Sequence, residues 1–173
     1  MSRARLGVAF AAAALVATTV AASRGSSSTA PVVTHEIIAV YLGTDGTDGG
    51  MVDAVRNMQS ALLRQTDSSG RHLVTRGVSL DESVAEGIRH LTTLGTFDEI
   101  SVGGNWTNSS VVRYLGNDMS DHDRAAIPQV VLLEREVRLS AGDLVIGPER
   151  EIGRYMGTDR IRSWVRSGAP LPR

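Results

Sequence analysis

The sequence predicts an α/β fold with the element order β-α-β-α, a helical insert, then β-β-α. Three observations predict it. The first half alternates short apolar runs with stretches of helical periodicity. The second half carries two extended runs divided by turn residues. The chain then closes on a short amphipathic segment. The first two strands, joined through a helix, read as a right-handed βαβ unit with a parallel pair. The second half reads as a hairpin followed by a terminal helix.

The first strand is "HEIIAVYLG", starting at His35, a β-rich run with the look of a buried strand. The first helix follows in "GGMVDAVRNMQSALLRQTDSSG", where Met51, Val52, Val55, Met58, Leu62 and Leu63 fall on one face and Ser68, Ser69 and Gly70 end it. "RHLVTRGVSL" alternates as a second strand. In "LDESVAEGIRHLTTLG", Asp81 is the expected N-cap and Glu82 stands in the first turn; Val84, Ile88 and Leu91 form the apolar stripe before Gly95. Residues 95–126 read as an extended piece, a loop and a short helix capped by Ser109 or Ser110. "AIPQVVLLEREVRL" is a strand with proline at its start, where a missing N–H is tolerated. Turn residues at Ala141, Gly142 and Asp143, and again at Gly147 and Pro148, mark returning strand material. "TDRIRSWVRSG" is the closing helix, with Thr158 as cap and Ile161, Trp164 and Val165 inward; residues 169–173 read as tail.

Ahead of the domain, "MSRAR" supplies two arginines, residues 6–22 are an uncharged apolar run, and residues 23–34 form a Ser-rich linker. Basic start, apolar middle and small residues at the end are the layout of an export signal. Residues 1–22 are thus a signal peptide, cut near Ala22, or a retained anchor slightly short of the usual span. Either places residues 35–168 in the periplasm or outside the cell.

Composition removes several function classes. Net charge is −1, so no basic field exists to attract nucleic acid, and the only membrane contact expected is through residues 6–22 if they stay attached. There is no cysteine. Disulfides, thiolate metal sites and thiol catalysis are therefore outside this chain's own chemistry.

The glycine-rich loop "GTDGTDGG" between the first strand and helix raises the question of a ligand. It lacks the lysine of a phosphate-binding loop and the spacing of a dinucleotide fingerprint. Asp45 and Asp48 place negative charge where an anion would sit. Counted as a calcium loop from Asp45, it puts Arg56 where a bidentate Glu belongs. The plain reading is that Asp48 caps the helix while the glycines permit a tight turn. His35, His72, His90 and His122 lack metal-ligand spacing. The loop Asp121-His122-Asp123 admits an alternative, a small hydrolase or transferase that needs no thiol. Asn105 and Asn108 begin N-x-[ST] patterns that matter only in a eukaryotic secretory pathway. No cofactor and no metal are expected.

Two stretches resemble the thioredoxin family. "AVYLGTDGTDGGMV" fits the strand–loop–helix around the family's redox motif without a gap, so that Gly46-Thr47-Asp48-Gly49 stands at C-x-x-C and both cysteine positions are glycine. "AAIPQVVLLEREV" looks like the segment in which an Ile-Pro bond in cis enters the third strand, and Ile127 and Pro128 match that pair. Val40 stands where redox-active members often carry a buried acid, and Leu42 and Asp45 replace flanking aromatics. The resemblance implies a three-layer thioredoxin-like fold with a central mixed sheet, without thiol–disulfide exchange. It further implies a binding module: a groove beside Pro128 taking an extended peptide or a partner protein. The groove would be lined by Thr44, Asp45, Gly46, Thr47, Asp48, Gly49, Ile127 and Pro128. A spacer in a larger assembly is a further class.

Overall fold

The computed structural model describes residues 32–45, 50–116, 126–140 and 143–172. The elements are β1 (Val32–Gly43), α1 (Met51–Ser68), β2 (His72–Ser79), α2 (Val84–Leu94) and β3 (Glu99–Ser101), then a 3-10 turn (Asn105–Thr107) and α3 (Ser109–Leu115). The second half holds β4 (Gln129–Ser140), β5 (Asp143–Ile146), β6 (Arg150–Met156) and a closing helix, here α4 (Thr158–Arg166). The apolar run at residues 6–22, the loop residues 46–49 and the Asp121-His122-Asp123 segment lie outside the described residues. No helix among the described residues is long and apolar enough to cross a membrane.

The strands form one mixed sheet in the order β3-β2-β1-β4, with β5 and β6 both on the far side of β4. β1 is parallel to β2 and antiparallel to β4, and β4 is antiparallel to β6. The core order β2-β1-β4-β6, with α1 after β1 and α4 after β6, is a thioredoxin-like fold. β3 extends it at one edge. β5 and β6 are nearly one returning strand: β5 pairs with the end of β4 and β6 with its beginning. Gly147 marks the break, its N–H bonded to Glu136 C=O at 2.8 Å.

Covering on both faces explains why Ile37–Leu42 of β1 is uninterrupted apolar sequence. Ala39 and Tyr41 enter one core with Met51, Met58 and Leu62 of α1, Leu91 and Leu94 of α2, and Ile161 and Trp164 of α4. Ile38, Val40 and Leu42 enter the other with Val111, Tyr114 and Leu115 of α3. β1, β2 and β3 step in one direction across the sheet, and two crossovers of the same hand put α1 and α2 on one face. Among the described helices, α3 alone covers the opposite face. There Glu149, beside the β5–β6 break, reaches Arg76 of β2 at 2.7 Å, Arg113 of α3 at 2.8 Å and Arg135 of β4 at 3.4 Å.

Several expectations need correcting. β1 begins at Val32, inside the segment read as linker, because Val32–Glu36 pair with Arg135–Leu139 of β4. Leu63 is exposed, one step round the helix from buried Leu62. α2 is capped by Ser83, not Asp81: Ser83 Oγ accepts from Glu86 N–H at 3.2 Å and donates to the Glu86 carboxylate at 2.8 Å. Its buried stripe is Gly87, His90, Leu91 and Leu94, leaving Val84 and Ile88 exposed. α3 is capped by Asn108, whose Oδ1 accepts from Ser110 N–H at 2.9 Å. Gly50 holds the N-cap position of α1, and Gly157, rather than Thr158, that of α4. The tail is not free. Ala169 is fully buried, Leu171 packs on the first core, and Gln65 donates to Ala169 C=O at 3.0 Å while accepting from Leu171 N–H at 3.1 Å.

Candidate functional site

The last rung between the two central strands is Leu42 opposite Gln129. Beyond it the two chains run on as Gly43, Thr44 and Asp45 on one side and Pro128 and Ile127 on the other. Four of the eight residues expected to line a groove, Thr44, Asp45, Ile127 and Pro128, are thus brought to one end of the β1–β4 pair. Gly46, Thr47, Asp48 and Gly49 lie outside the described residues.

Asp81 fixes the first wall. It follows β2, whose partner β1 ends beside it, and Leu80 N–H bonds Gly43 C=O at 2.8 Å. That bond carries the chain of Asp81 under the loop. Its Oδ1 accepts from Thr44 Oγ1 at 2.7 Å and from Asp45 N–H at 3.2 Å. Its Oδ2 accepts from Ser79 Oγ at 2.7 Å, and His90 Nδ1 stands 3.7 Å from it. Burial alone would raise the Asp81 pKa, but the hydrogen bonds from Ser79, Thr44 and Asp45, with His90 beside them, hold it below the usual carboxylate range. His90 is buried and stacks on Tyr41 at 6.2 Å. Arg89 approaches Asp45 at 3.6 Å, but both are largely exposed and the pair contributes little.

The second wall is the start of β4. The Ile127–Pro128 bond is cis. Pro128 is buried, and its C=O accepts from Gly157 N–H at 2.8 Å, which ties the turn to the start of α4. Gln129 is fully buried and its Oε1 accepts from Arg154 Nη1 at 2.9 Å; Arg154 also donates to Tyr114 C=O. Ile127 is half-buried, and its backbone N–H and C=O meet no hydrogen-bond partner among the described residues. This leaves one donor and one acceptor open at the end of the sheet. At the floor, Arg162 of α4 lies against Gly50, where a side chain would collide with its guanidinium.

Sequence reasoning missed Asp81 and His90. Asp81 sits where helix caps sit, and nothing local distinguishes a carboxylate that caps its own helix from one that reaches back to a neighbouring strand. Val40 is fully buried among Ile38, Leu42 and Val131. The position that often holds an acid in redox-active relatives is therefore apolar in surroundings as well as in identity.

The sequence matches no family model and no curated protein. Among solved structures, it is similar to a thiol-disulfide oxidoreductase from Bacteroides fragilis, at 10% identity and a TM-score of 0.40, over 76% of this chain and 80% of that one. The fold rests on this chain's own strand order, and the chain contains no cysteine. The chain has a thioredoxin-like fold that lacks the family's cysteines.

Proposed function

We propose that this is an exported, redox-inactive thioredoxin-like domain that binds an extended peptide or a segment of a partner protein beside Ile127 and Pro128. One observation carries the reading: the open N–H and C=O of half-buried Ile127 at the end of the central strand pair. An extended chain laid there satisfies both groups and continues the sheet, the strand-addition mode of peptide recognition. Thr44 and Asp45 stand across from it, held by Asp81. A fixed wall lowers the ordering cost that a floppy groove would impose on binding. Export is supported by the basic start and the apolar run at residues 6–22.

The test is selection of extended peptides from a random library on the full chain, followed by amide hydrogen exchange of the complex. Bound peptide should slow exchange at Ile127, and Asp45→Lys should change which peptides are selected. Protection confined to other surfaces, with Ile127 exchanging as in the free chain, overturns the groove. Cell fractionation tests export separately: full-length chain with Met1 intact in the cytosol overturns that part.

A further inference from the structure

The end of the domain remote from the groove carries a second feature. Beyond the reach of β2, the first residues of β1, the last of β4 and all of β5 form a three-stranded ribbon on which no helix among the described residues packs. Register puts Val32, Leu139, Leu144 and Ile146 on one face and Val33 and Val145 on the other. All six are 45–61% exposed. Isolated exposed apolar residues need no explanation, but six on one ribbon tip form a patch of the kind that marks an interaction site. The arginines on the ribbon and beside it are paired, Arg138 with Glu136 at 2.8 Å and Arg150 with Glu134, while exposed Asp143 opens β5.

Two facts select the occupant. Apolar side chains project from both faces of the ribbon, which suits a medium that surrounds it. The chain also enters the fold at Val32, in the patch itself. Only residues 23–31 separate Val32 from the apolar run at 6–22, a connection that spans about 30 Å at full extension. A membrane holding residues 6–22 is therefore always within reach of the tip.

We propose that the β1–β4–β5 ribbon is a lipid-contacting tip that seats its apolar side chains at the headgroup–acyl boundary of the membrane holding residues 6–22. The seat is apolar in origin, since the arginines beside it are paired. It rests on the export part of the reading above, with the leader retained, and not on the groove. β1 runs from Val32 to Gly43, so the tip and the groove stand about 36 Å apart at the usual rise per residue. A seated tip turns the groove away from the bilayer.

The absence of native cysteine makes the test clean. Single variants Leu144→Cys and Val145→Cys, one on each face, are labelled with an environment-sensitive fluorophore in the full chain. A third, Ala14→Cys, reports the leader, and Ile88→Cys on α2 is the exposed control. The labelled chains are reconstituted in phosphatidylcholine vesicles, with and without phosphatidylglycerol and with brominated acyl chains as quencher. The expected result is a blue shift and quenching at 14, 144 and 145 in both vesicle types, with 88 unchanged. Insertion at 14 with 144 and 145 still in water overturns the tip while leaving export intact. Water at all three positions overturns the tip and the anchored form together. A blue shift without quenching means a second copy covers the ribbon, and a shift that needs phosphatidylglycerol means a headgroup-binding surface. Either outcome also overturns the proposal.

Discussion

Thr44 Oγ1 donates a 2.7 Å hydrogen bond to Asp81 Oδ1, joining the end of β1 to a carboxylate 37 residues later in the chain. The same carboxylate takes Ser79 Oγ and Asp45 N–H, so a single side chain closes the base of the candidate groove.

Asp81 should therefore leave a mark on the pH dependence of stability. Its folded pKa is depressed. The stabilisation it gives is present above the unfolded carboxylate value of about 3.9 and is lost as pH falls through the lower folded value. Urea unfolding over a pH series should show wild-type stability declining below about pH 4, with a shallower decline in Asp81→Asn. At neutral pH that variant should be less stable by about 1.5–3 kcal/mol, the range for bonds made to a charged group. Equal slopes in the two proteins would show that Asp81 is not the group responsible.

Gly87→Ala should destabilise, against the general rule. Inside an exposed helix the change gains about 1 kcal/mol. At this position a Cβ would lie 2.8 Å from Ser79 Oγ and 3.0 Å from Val102 Cβ, both held in packed surroundings. Overpacking of that kind costs about 1–3 kcal/mol. Because Ser79 is bonded to Asp81, the variant should also disturb the amide signals of Thr44 and Asp45. A variant that is more stable than wild type would show that α2 moves away freely.

Glu149→Ala should cost about 1.5–3 kcal/mol, since it removes an acceptor shared by buried Arg76 and partly buried Arg135, which keep Glu99 and Glu36 as their other carboxylate partners. Burial works against the charge on Arg76, but its hydrogen bonds with Glu149 and Glu99 raise its pKa above the ordinary value, so it stays charged. Glu136→Ala, at an exposed pair with Arg138, should leave stability nearly unchanged. Comparable losses in the two variants, read from urea midpoints, would contradict the difference in burial.

Ending the chain after Gly168 should lower stability by at least about 2 kcal/mol, the low end of the sum for one buried apolar side chain and one hydrogen bond, since three hydrogen bonds go with it. Leu171 and the Gln65 bonds to Ala169 and Leu171 are the groups lost, together with the acceptor of Trp164 Nε1 at Pro170 C=O. An unchanged thermal midpoint would restore the free-tail reading.

What the sequence showed and what it hid divide along a physical line. Periodicity reports whether a residue is covered, so the continuous apolar run at Ile37–Leu42 revealed a strand buried on both faces. The resemblance at Ile127 and Pro128 pointed to the end of the sheet where β4 starts beside the end of β1. Pairing partners far along the chain leave no local trace. Asp81 looked like a cap because a carboxylate before a helix usually is one, and only the proximity of Thr44 in space changes its role. Residues 169–172 looked like tail because prolines and small residues usually are, and the acceptor and donor on Gln65 that hold them lie about a hundred residues away. Val84 and Ile88 misled for a related reason. The stripe that α2 buries contains Gly87 and His90, residues that hydrophobic periodicity does not count.

The position of β1 between β2 and β4 also sets the order in which the molecule can assemble. Its pairing with β2 closes a local loop, but its partners on β4 are roughly a hundred residues away, and such contacts are slow to form. During synthesis the unit of β1, α1 and β2 is finished well before β4 leaves the ribosome. In that interval β1 has one bare edge, and until α3 emerges Ile38, Val40 and Leu42 lack its cover. A nascent chain in that state is a template for pairing with another copy of itself, so the central strand that stabilises the finished domain is also its exposure to aggregation on the way there.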